Sequence, residues 1–345
     1  MSRILTRLSD SSTRSAKSKG VRLFASLLYA FWKFSRPHTV IGTSLSVVGL
    51  YLVSLAMGKE YWVLGGNSAP IPHPSALSLP LLACLCGNVY IVGLNQLEDV
   101  EIDRINKPHL PLASKEFTRK QATAIVTITG ILAILFAIAG GPFLLATVGL
   151  SLLIGTAYSL PPIRLKRFPF PASLCILTVR GVIVNLGLFL HFNSQWQGAI
   201  AKGQRELPPL SLPSAFPPAV LALTVFIFVF TLAIAIFKDV PDIEGDRQYN
   251  ISTFTLRVGQ KTVFNLARWV LTACYLGMIL AGIAHLPEVN APFLVTTHLL
   301  AVILLWFRSL TVNLQDKASI SRFYQFIWKL FFLEYLVFPS ACLLS

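Results

Sequence analysis

Charged residues are scarce in this chain, and acidic residues are the scarcer of the two signs. Asp, Glu, Lys and Arg together make up 13% of the 345 residues, whereas soluble domains carry about 25%. With 54% apolar residues and a mean hydropathy of +0.66, this shortage excludes an ordinary soluble domain. Cysteine is also rare. The five cysteines lie in or beside apolar runs, which is typical of core packing and argues against a disulfide framework.

Long apolar runs are what the sequence has instead. A helix that crosses a bilayer needs about 20 mostly apolar residues. Nine such runs lie near residues 39–58, 77–97, 122–140, 143–160, 171–192, 217–237, 262–284, 289–307 and 323–343. The sequence therefore predicts an all-α integral membrane protein with nine transmembrane helices.

Positive charge is distributed unevenly over the loops between these runs. The N-terminus and the loops after even-numbered runs hold 23 of the 29 Lys and Arg residues. Positive residues accumulate in loops that stay on the side of synthesis. The N-terminus is therefore predicted to face the cytoplasm or stroma, and the C-terminus the opposite side. The net charge of +14 thus indicates membrane topology and not nucleic-acid binding.

The N-terminal region is predicted to have two parts. Residues 1–20 are basic and rich in serine, and we expect a disordered tail there. Residues 21–36 have the pattern of an amphipathic helix that lies on the bilayer surface, so the membrane domain covers residues 21–345. A cleaved targeting segment in residues 1–20 is the alternative.

Acidic residues are clustered as well as few. Eight of the 15 lie in two nine-residue segments, residues 95–103 and 238–246, which follow the second and sixth apolar runs. Both segments fall on the predicted positive side of the membrane. Their recurrence after four runs predicts two four-helix halves around a central cavity, with a ninth helix added.

Spacing distinguishes the acids that share a helix face. Residues three or four apart lie on one face, and the polar residues at this spacing are Asn95, Asp99, Asp103, Asp239, Asp242 and Asp246. Like charges at this distance repel each other, so each stripe requires a cation. Oxygen ligands favour Mg²⁺, which usually combines one or two carboxylates with water and substrate phosphates. Two facing stripes would hold a metal–diphosphate between them.

Pro241 and three further acids complete the prediction for these segments. Pro241 is expected to break the helix and to turn Asp239 and Asp242 toward the cavity. The acids that fall off the two faces are predicted to be rim residues, and they are Glu98, Glu101 and Glu244.

Basic residues accompany the acids on the same membrane side. They are Arg36, Lys107, Arg164, Lys166 and Lys238. A diphosphate leaving group needs such donors to disperse the charge that develops as its C–O bond breaks. The alternative is anchoring to anionic lipid headgroups, which we favour for Arg167.

These motifs resemble those of the UbiA-type family of intramembrane aromatic prenyltransferases, over nearly the whole chain from Trp32 onward. The family's N-x-x-x-D-x-x-x-D motif falls on residues 95–103, and its second Asp-rich motif on residues 238–246. The words N-K-P-H-L-P-L-A-S (106–114) and G-T-A-Y-S-L-P-P-I-R-L-K-R (155–167) resemble the branch that acts on homogentisate. Lys107 stands where many quinone-forming relatives carry arginine, and it offers a point charge without a bidentate fork.

The resemblance implies a Mg²⁺-dependent enzyme whose catalytic and metal-binding residues are the five Asp of the stripes, with Asn95 as a further ligand. It also implies that Tyr158 and Lys166 lie on the diphosphate side. The implied reaction moves a phytyl group from phytyl diphosphate to homogentisate, with loss of CO₂ and diphosphate. The product would be 2-methyl-6-phytyl-benzoquinol for tocopherol synthesis, made in the thylakoid or plasma membrane of a photosynthetic organism.

Other activities stay open at this point. Within the enzyme class they are solanesyl transfer to homogentisate, prenyl transfer to 4-hydroxybenzoate or another aromatic, and chlorophyll esterification. A membrane transporter would also have many spans and buried acids. Transporter sites usually lie at the bilayer midplane, whereas these acids lie at one interface. The oligomeric state is left open.

Four charged residues fall inside apolar runs, where charge is costly and usually functional. They are Arg180, Arg268, Lys329 and Glu334, and Arg268 is expected to extend its charged end toward the interface. Arg180 and Glu334 are expected to pair across the cavity, or else Arg180 or Lys329 receives the carboxylate of an aromatic substrate. His38, beside Arg36, is a weaker candidate for contact with the aromatic ring.

Overall fold

The structure, a computed structural model, describes residues 22, 24–58, 75–201, 216–249 and 253–345. Within these residues it contains nine apolar helices long enough to cross a membrane, which confirms the predicted multi-pass membrane fold. Spans one to nine, in chain order, are Pro37–Met57, Ala76–Glu98, Arg119–Gly140, Pro142–Ser159, Pro169–Gln195, Pro218–Phe237, Gln260–Ile283, Ala291–Leu310 and Lys317–Leu343.

Local sequence signals explain where the spans begin. Spans one, four, five, six and eight have proline in their first turn, where its missing N–H removes no helical hydrogen bond. Thr118 and Gln121 form a capping box at the start of span three. Asp316 accepts hydrogen bonds from the N–H groups of Ala318 and Ser319 at the start of span nine. These side chains satisfy N–H groups that a first helical turn leaves unpaired.

A single residue, Gly141, joins spans three and four. Its φ of 104° lies in the region that favours glycine. Pro142 begins the next helix at once, so the two spans form a tight antiparallel hairpin.

Six of the spans close into a ring. Spans one, two, four, five, six and nine contact one another successively, and span nine returns to span one. Span three packs on the outside of spans two and four, and spans seven and eight pack beside spans six and nine. The two acidic segments follow two members of this ring, spans two and six.

Span three has large side chains on its exposed face and small side chains on its buried face. Ile128, Ile131, Leu135 and Ile138 of span three are exposed, and their spacing of three and four places them on one face. The opposite face buries small residues such as Ala133, which allows close approach of neighbouring helices. An exposed apolar stripe of this kind is suited to lipid and not to water.

Short helices follow spans two and six and pack against each other. Val100–Asn106 continues beyond span two, and Ile243–Gln248 follows span six after a turn. These two helices carry the later acids of each segment. Their contact brings together residues about 140 positions apart in the chain.

Residues 24–34 are helical and precede span one. Several large apolar side chains of this helix, including Phe24 and Tyr29, are exposed, whereas Ala30 and Phe34 are buried. The assignment of this segment as an interfacial helix stays a prediction. The predicted disordered tail, residues 1–20, lies outside the described residues.

Span five is not a uniform α-helix. Thr178–Ile183 form a π-helical turn between Pro169–Leu177 and Val184–Ala201. Asn185 donates hydrogen bonds from its side-chain nitrogen to the carbonyls of Arg180 and Gly181, at 3.0 and 2.8 Å, and accepts one from the Tyr335 hydroxyl at 2.7 Å. Because π turns widen a helix by one residue and are frequent at functional sites, this turn directs attention to Arg180.

Candidate active site

The first acidic segment keeps its three polar residues in helical register. Its backbone N–H groups still bond four residues back, from Asp99 to Asn95 at 3.1 Å and from Asp103 to Asp99 at 2.8 Å. The Asn95 side chain donates to Asp99 Oδ2 at 3.2 Å and accepts from Arg36 at 3.4 Å. The predicted stripe is therefore present as a continuous row of polar side chains.

Two cations converge on Asp99 from the loop after span four. Asp99 Oδ1 lies 3.1 Å from Arg164 Nη2 and 2.8 Å from Lys166 Nζ. Burial lowers the pKa of Lys166, and the Asp99 carboxylate opposes that shift. The acid and the two bases thus form one partly buried charged cluster.

Arg36 and Arg164 have unusual backbone conformations. Their φ values are 54° and 39°, in the left-handed region that residues other than glycine rarely adopt. Each residue directly precedes a helical turn. Backbone strain of this kind concentrates at ligand-binding positions, where the surrounding structure maintains it.

The second acidic segment leaves the helix, as Pro241 predicts. Span six ends at Phe237, residues 238–242 form a turn, and helix resumes at Ile243. Asp239 pairs with Lys238 at 2.6 Å, and Asp242 forms a short ion pair with Lys107 of the first segment. One cation therefore links the two segments directly.

Asn106 forms the second link between the segments. Its side-chain nitrogen donates to Asp246 Oδ1 at 3.3 Å, and its side-chain oxygen accepts from the Gly245 N–H at 3.0 Å. A Cβ atom on Gly245 would lie only 2.4 Å from Asn106 Oδ1. The two short helices can therefore approach this closely only because residue 245 is glycine.

The last acid of each segment is buried and lies near other carboxylates. Burial is the main cause that raises the pKa of Asp103, with Asp99 and Asp242 adding to it and Arg36 and Lys107 opposing it. Burial, Asp239 and Asp242 raise the pKa of Asp246 to about 7. Bringing a cation to these oxygens would relieve both the desolvation and the repulsion.

Lys238 has a different electrostatic environment from Lys166. Its burial lowers the pKa, but Asp239, Tyr158 and Asp242 outweigh this effect and hold the pKa above the usual range of lysine. Lys238 therefore keeps its positive charge although protein surrounds it. Such a group can balance the charge of an anion inside the fold.

Several polar side chains of the ring spans and their loops are half-buried. They are surrounded by protein yet keep accessible surface, and they are His38, Tyr158, Arg180, Lys238 and Tyr324. This combination is typical of side chains that face an internal cavity. The cavity thus has a charged end at the acidic segments and an aromatic wall on span nine.

The donors at the charged end fit a hard divalent cation. They are the carboxylates and amide of Asn95, Asp99, Asp103, Asp239, Asp242 and Asp246. Asp103 Oδ2 is buried and has no hydrogen-bond partner among the described residues. Within the same part of the chain, no three carboxylate, thiol or imidazole groups form a ready-made metal cage. The set therefore fits an ion that takes only one or two carboxylates and completes its shell with phosphate oxygens and water.

Several predicted residues lie elsewhere. Lys329 is exposed on span nine, and Arg167 is exposed beside the charged loop. The expected pair of Arg180 and Glu334 does not form: Glu334 Oε2 lies 3.2 Å from His298 Nε2 of span eight. That prediction was wrong because the face of span nine that carries Glu334 turns toward span eight and not toward span five. Glu101 and Glu244 are exposed, as their off-face positions predict.

Sequence reasoning missed Asn106 and the aromatic partners of Arg180. Asn106 lies three residues after Asp103 and so extends the polar stripe by one turn, which is a signal that could have identified it. Trp328 and Phe331 place their rings 4.9 and 5.3 Å from the Arg180 guanidinium. No spacing rule connects spans five and nine, so these contacts need the tertiary structure.

Comparison with known proteins gives one family. The model of the UbiA prenyltransferase family matches residues 51–330. Homogentisate phytyltransferase from Synechocystis sp. is 52% identical over 318 residues, which cover 91% of this chain and 96% of that protein. Homogentisate phytyltransferase 1 from Arabidopsis thaliana is 38% identical over 325 residues, which cover 92% of this chain and 76% of that protein.

Solved structures share the fold. A UbiA homologue from Archaeoglobus fulgidus, bound to GPP and Mg²⁺, superposes with a TM-score of 0.56 at 16% sequence identity. The match covers 90% of this chain and 99% of that chain. At this identity the likeness concerns the arrangement of the helices alone.

Proposed function

The chain belongs to the UbiA prenyltransferase family, and we propose that it transfers a phytyl group from phytyl diphosphate to homogentisate inside the membrane. The observation that carries this proposal is the junction of the two acidic segments through Lys107 and Asn106. It brings two rows of oxygen donors and a set of cations together at one end of a ring of apolar spans. A diphosphate with a long prenyl tail needs a charged site beside apolar surroundings.

The cations support binding of the diphosphate. Arg164 and Lys166 share Asp99, while Lys107 and Lys238 pair with acids of the second segment. The Nε atoms of Arg36 and Arg164 are buried and have no hydrogen-bond partner among the described residues. Donors that are already in place, with hydrogen-bonding capacity left over, can stabilise the negative charge that grows on the leaving group without reorganising.

The two acidic stripes would hold Mg²⁺, with Asn95 and the five Asp as candidate ligands. Bound there, the ion supplies Lewis-acid stabilisation to the diphosphate oxygens. The protein itself supplies the position of each carboxylate. Asn106 fixes Asp246, and the helical register fixes Asp99 and Asp103.

The proposed reaction balances without an external oxidant or reductant. The C–O bond of phytyl diphosphate breaks, and diphosphate leaves with the electron pair. A ring carbon ortho to a hydroxyl of homogentisate forms the new C–C bond. The side-chain carboxylate leaves as CO₂. The ring carbon that forms the new bond loses one proton, and the side-chain carbon takes up one proton as it becomes a methyl group, so the protons balance. The surrounding spans would limit access of water, which would otherwise capture the allylic cation.

The distribution of charge supports an orientation for this site. Both acidic segments and the cations that contact them lie in loops of the positive side, which usually stays cytoplasmic or stromal. We therefore place the site on that face of a thylakoid or plasma membrane of a photosynthetic organism. The charged diphosphate headgroup of the donor would lie at this interface while its prenyl tail lies in the bilayer.

Assays of the purified protein with labelled homogentisate test the proposal. Phytyl, geranylgeranyl and solanesyl diphosphates are supplied in turn with Mg²⁺, and 4-hydroxybenzoate replaces homogentisate in a parallel series. We expect the highest kcat/KM with phytyl diphosphate and homogentisate. A preference for solanesyl diphosphate or 4-hydroxybenzoate would replace the proposed substrates, and the absence of any prenylated product would contradict a transferase.

Removal of the metal is a separate prediction. With EDTA we expect the rate to fall by at least about 100-fold, since metal stabilisation of a transition state is worth several kcal/mol. Added Mg²⁺ in excess of the chelator should restore it. A rate that persists in EDTA would contradict the metal assignment of the acidic stripes.

A further inference from the structure

Arg180 is a charged residue inside the membrane that has no ionic partner in the part of the chain that the structure describes. It lies in the π turn Thr178–Ile183 near the middle of span five. Within the described residues its guanidinium contacts the rings of Trp328 and Phe331 and forms no hydrogen bond or ion pair. Aromatic faces stabilise the charge, but they leave the five N–H donors of the guanidinium unsatisfied.

Arg268, a second arginine within a membrane span, has a structural role and serves as a comparison. It also lies over two aromatic rings, those of Phe264 and Trp306, at 5.0 and 4.7 Å. In addition it donates hydrogen bonds to Asn265 at 2.9 Å and to Ser309 at 3.2 Å. Arg180 has the same aromatic support, but no described residue provides it with an acceptor. A costly charge kept in this state indicates that an anionic ligand supplies the missing partner.

The surroundings of Arg180 are suited to a small aromatic acid. The His38 ring packs edge-on against Trp328, with ring centroids 4.9 Å apart. Gly42 faces the guanidinium from span one, and a Cβ there would lie 3.5 Å from Arg180 Nη1. The guanidinium thus lies beside aromatic rings, with no side chain from span one at residue 42 to cover it.

Residues beside Arg180 also lie near the charged end of the site. His38 lies within electrostatic range of Arg180, Arg36 and Lys107. Tyr324, one turn before Trp328, lies within range of Arg180 and also of Lys238 and Asp242. A ligand held by Arg180 would therefore have its ring between the guanidinium and the acidic segments.

We propose that Arg180 binds the carboxylate of the aromatic acceptor, with Trp328 and His38 forming the wall against its ring. This proposal rests on the proposed function, in which the acceptor is homogentisate. Under this proposal, the charge of the acceptor contributes to its binding before reaction and is absent from the product. The carboxylate that pairs with Arg180 leaves as CO₂, so the neutral product loses the ion pair that held the substrate.

Kinetics of Arg180→Gln in the full-length protein test the assignment. We expect KM for homogentisate to rise by about 10- to 100-fold, the range expected when a charge-assisted hydrogen-bonded pair is lost. KM for phytyl diphosphate should change by less than about threefold, since its binding residues are untouched. Arg180→Lys keeps the charge and should recover part of the loss. Arg268→Gln, the matched intramembrane control, should leave KM for homogentisate unchanged.

A measurement on the unaltered protein covers the case in which the variants do not fold. The methyl ester of homogentisate has the same ring but no charge, and it should bind at least about tenfold more weakly than homogentisate. Equal binding of acid and ester, or an unchanged KM in Arg180→Gln, would overturn the Arg180 assignment alone. Failure of the unaltered protein to prenylate homogentisate would instead contradict the proposed function.

Discussion

The two acidic segments carry the same kind of motif on different backbones. Residues 95–103 keep their hydrogen bonds to the fourth residue back across a one-residue interruption of the helix at Asp99. Residues 238–246 leave the helix at Phe237, turn at Pro241 and resume a helix at Ile243. A regular helix is therefore not required to present the acids. What the two segments share is the position of their acids relative to each other.

Charge is arranged alike in both segments despite the different backbones. The earlier acids, Asp99 in one segment and Asp239 and Asp242 in the other, each pair with a lysine. The last acids, Asp103 and Asp246, are buried and have raised pKa values, caused first by burial and then by neighbouring carboxylates. In each segment, therefore, the earlier acids are paired with cations and the last acid is buried. Asn106, which follows Asp103 by one turn, contacts the last acid of the other segment, Asp246.

The largest effect we expect is a loss of activity that is equally severe when either segment loses one of its acids. Asp99→Asn and Asp242→Asn should each reduce kcat/KM by about 10³-fold, because each removes a candidate carboxylate ligand of the Mg²⁺ that would hold the diphosphate. If the segments serve one site, the double variant should be scarcely worse than either single variant. Steady-state kinetics with phytyl diphosphate measure this, with the melting temperature as the check on folding. A near-normal rate in either variant would show that its segment does not take part.

The contact between the segments gives an intermediate effect. Asn106→Ala removes the acceptor of the buried Gly245 N–H and should destabilise the fold by about 1–3 kcal/mol. We expect kcat/KM to fall by roughly tenfold through displacement of Asp246, a loss of the size that a small misplacement produces. Gly245→Ala breaks the same contact from the opposite side, since its Cβ would collide with Asn106. A double-mutant cycle should then show strong non-additivity, and simple additivity would mean that the contact does not couple the segments.

The spans were predictable because hydropathy and length suffice to define them, but their ends were not. Span nine begins at Lys317, six residues before its apolar run, because Asp316 caps a polar first turn. Span three likewise begins at Arg119, after the capping box of Thr118. Hydropathy does not register a cap, so charged first turns were counted as loop.

The site was predictable where residues share one segment and not where they meet across the fold. The stripe of Asn95, Asp99 and Asp103 follows from helical spacing alone. Asn106 could be placed on that stripe, but its bonds to Asp246 and Gly245 depend on how two distant helices pack. The wrong pairing of Arg180 with Glu334 has the same origin. Two opposite charges at similar depth attract, but the rotation of span nine decides which neighbour each one meets.

The smallest effect is expected for the two exposed acids, Glu101 and Glu244, which do not lie on the polar faces of their segments. Glu101 is exposed and pairs with Arg104 at 2.5 Å, and Glu244 is exposed at the matching place in the second segment. Exposed ion pairs contribute about 0–1 kcal/mol, and salt screens exposed charges beyond about 8–10 Å. Glu101→Gln and Glu244→Gln should therefore each change kcat/KM by less than about twofold. A tenfold loss at Glu244 alone would show that the irregular second segment presents a wider face to the ligand than the helical first segment. The same loss at both positions would mean that acid density, and not the face of the helix, determines the site.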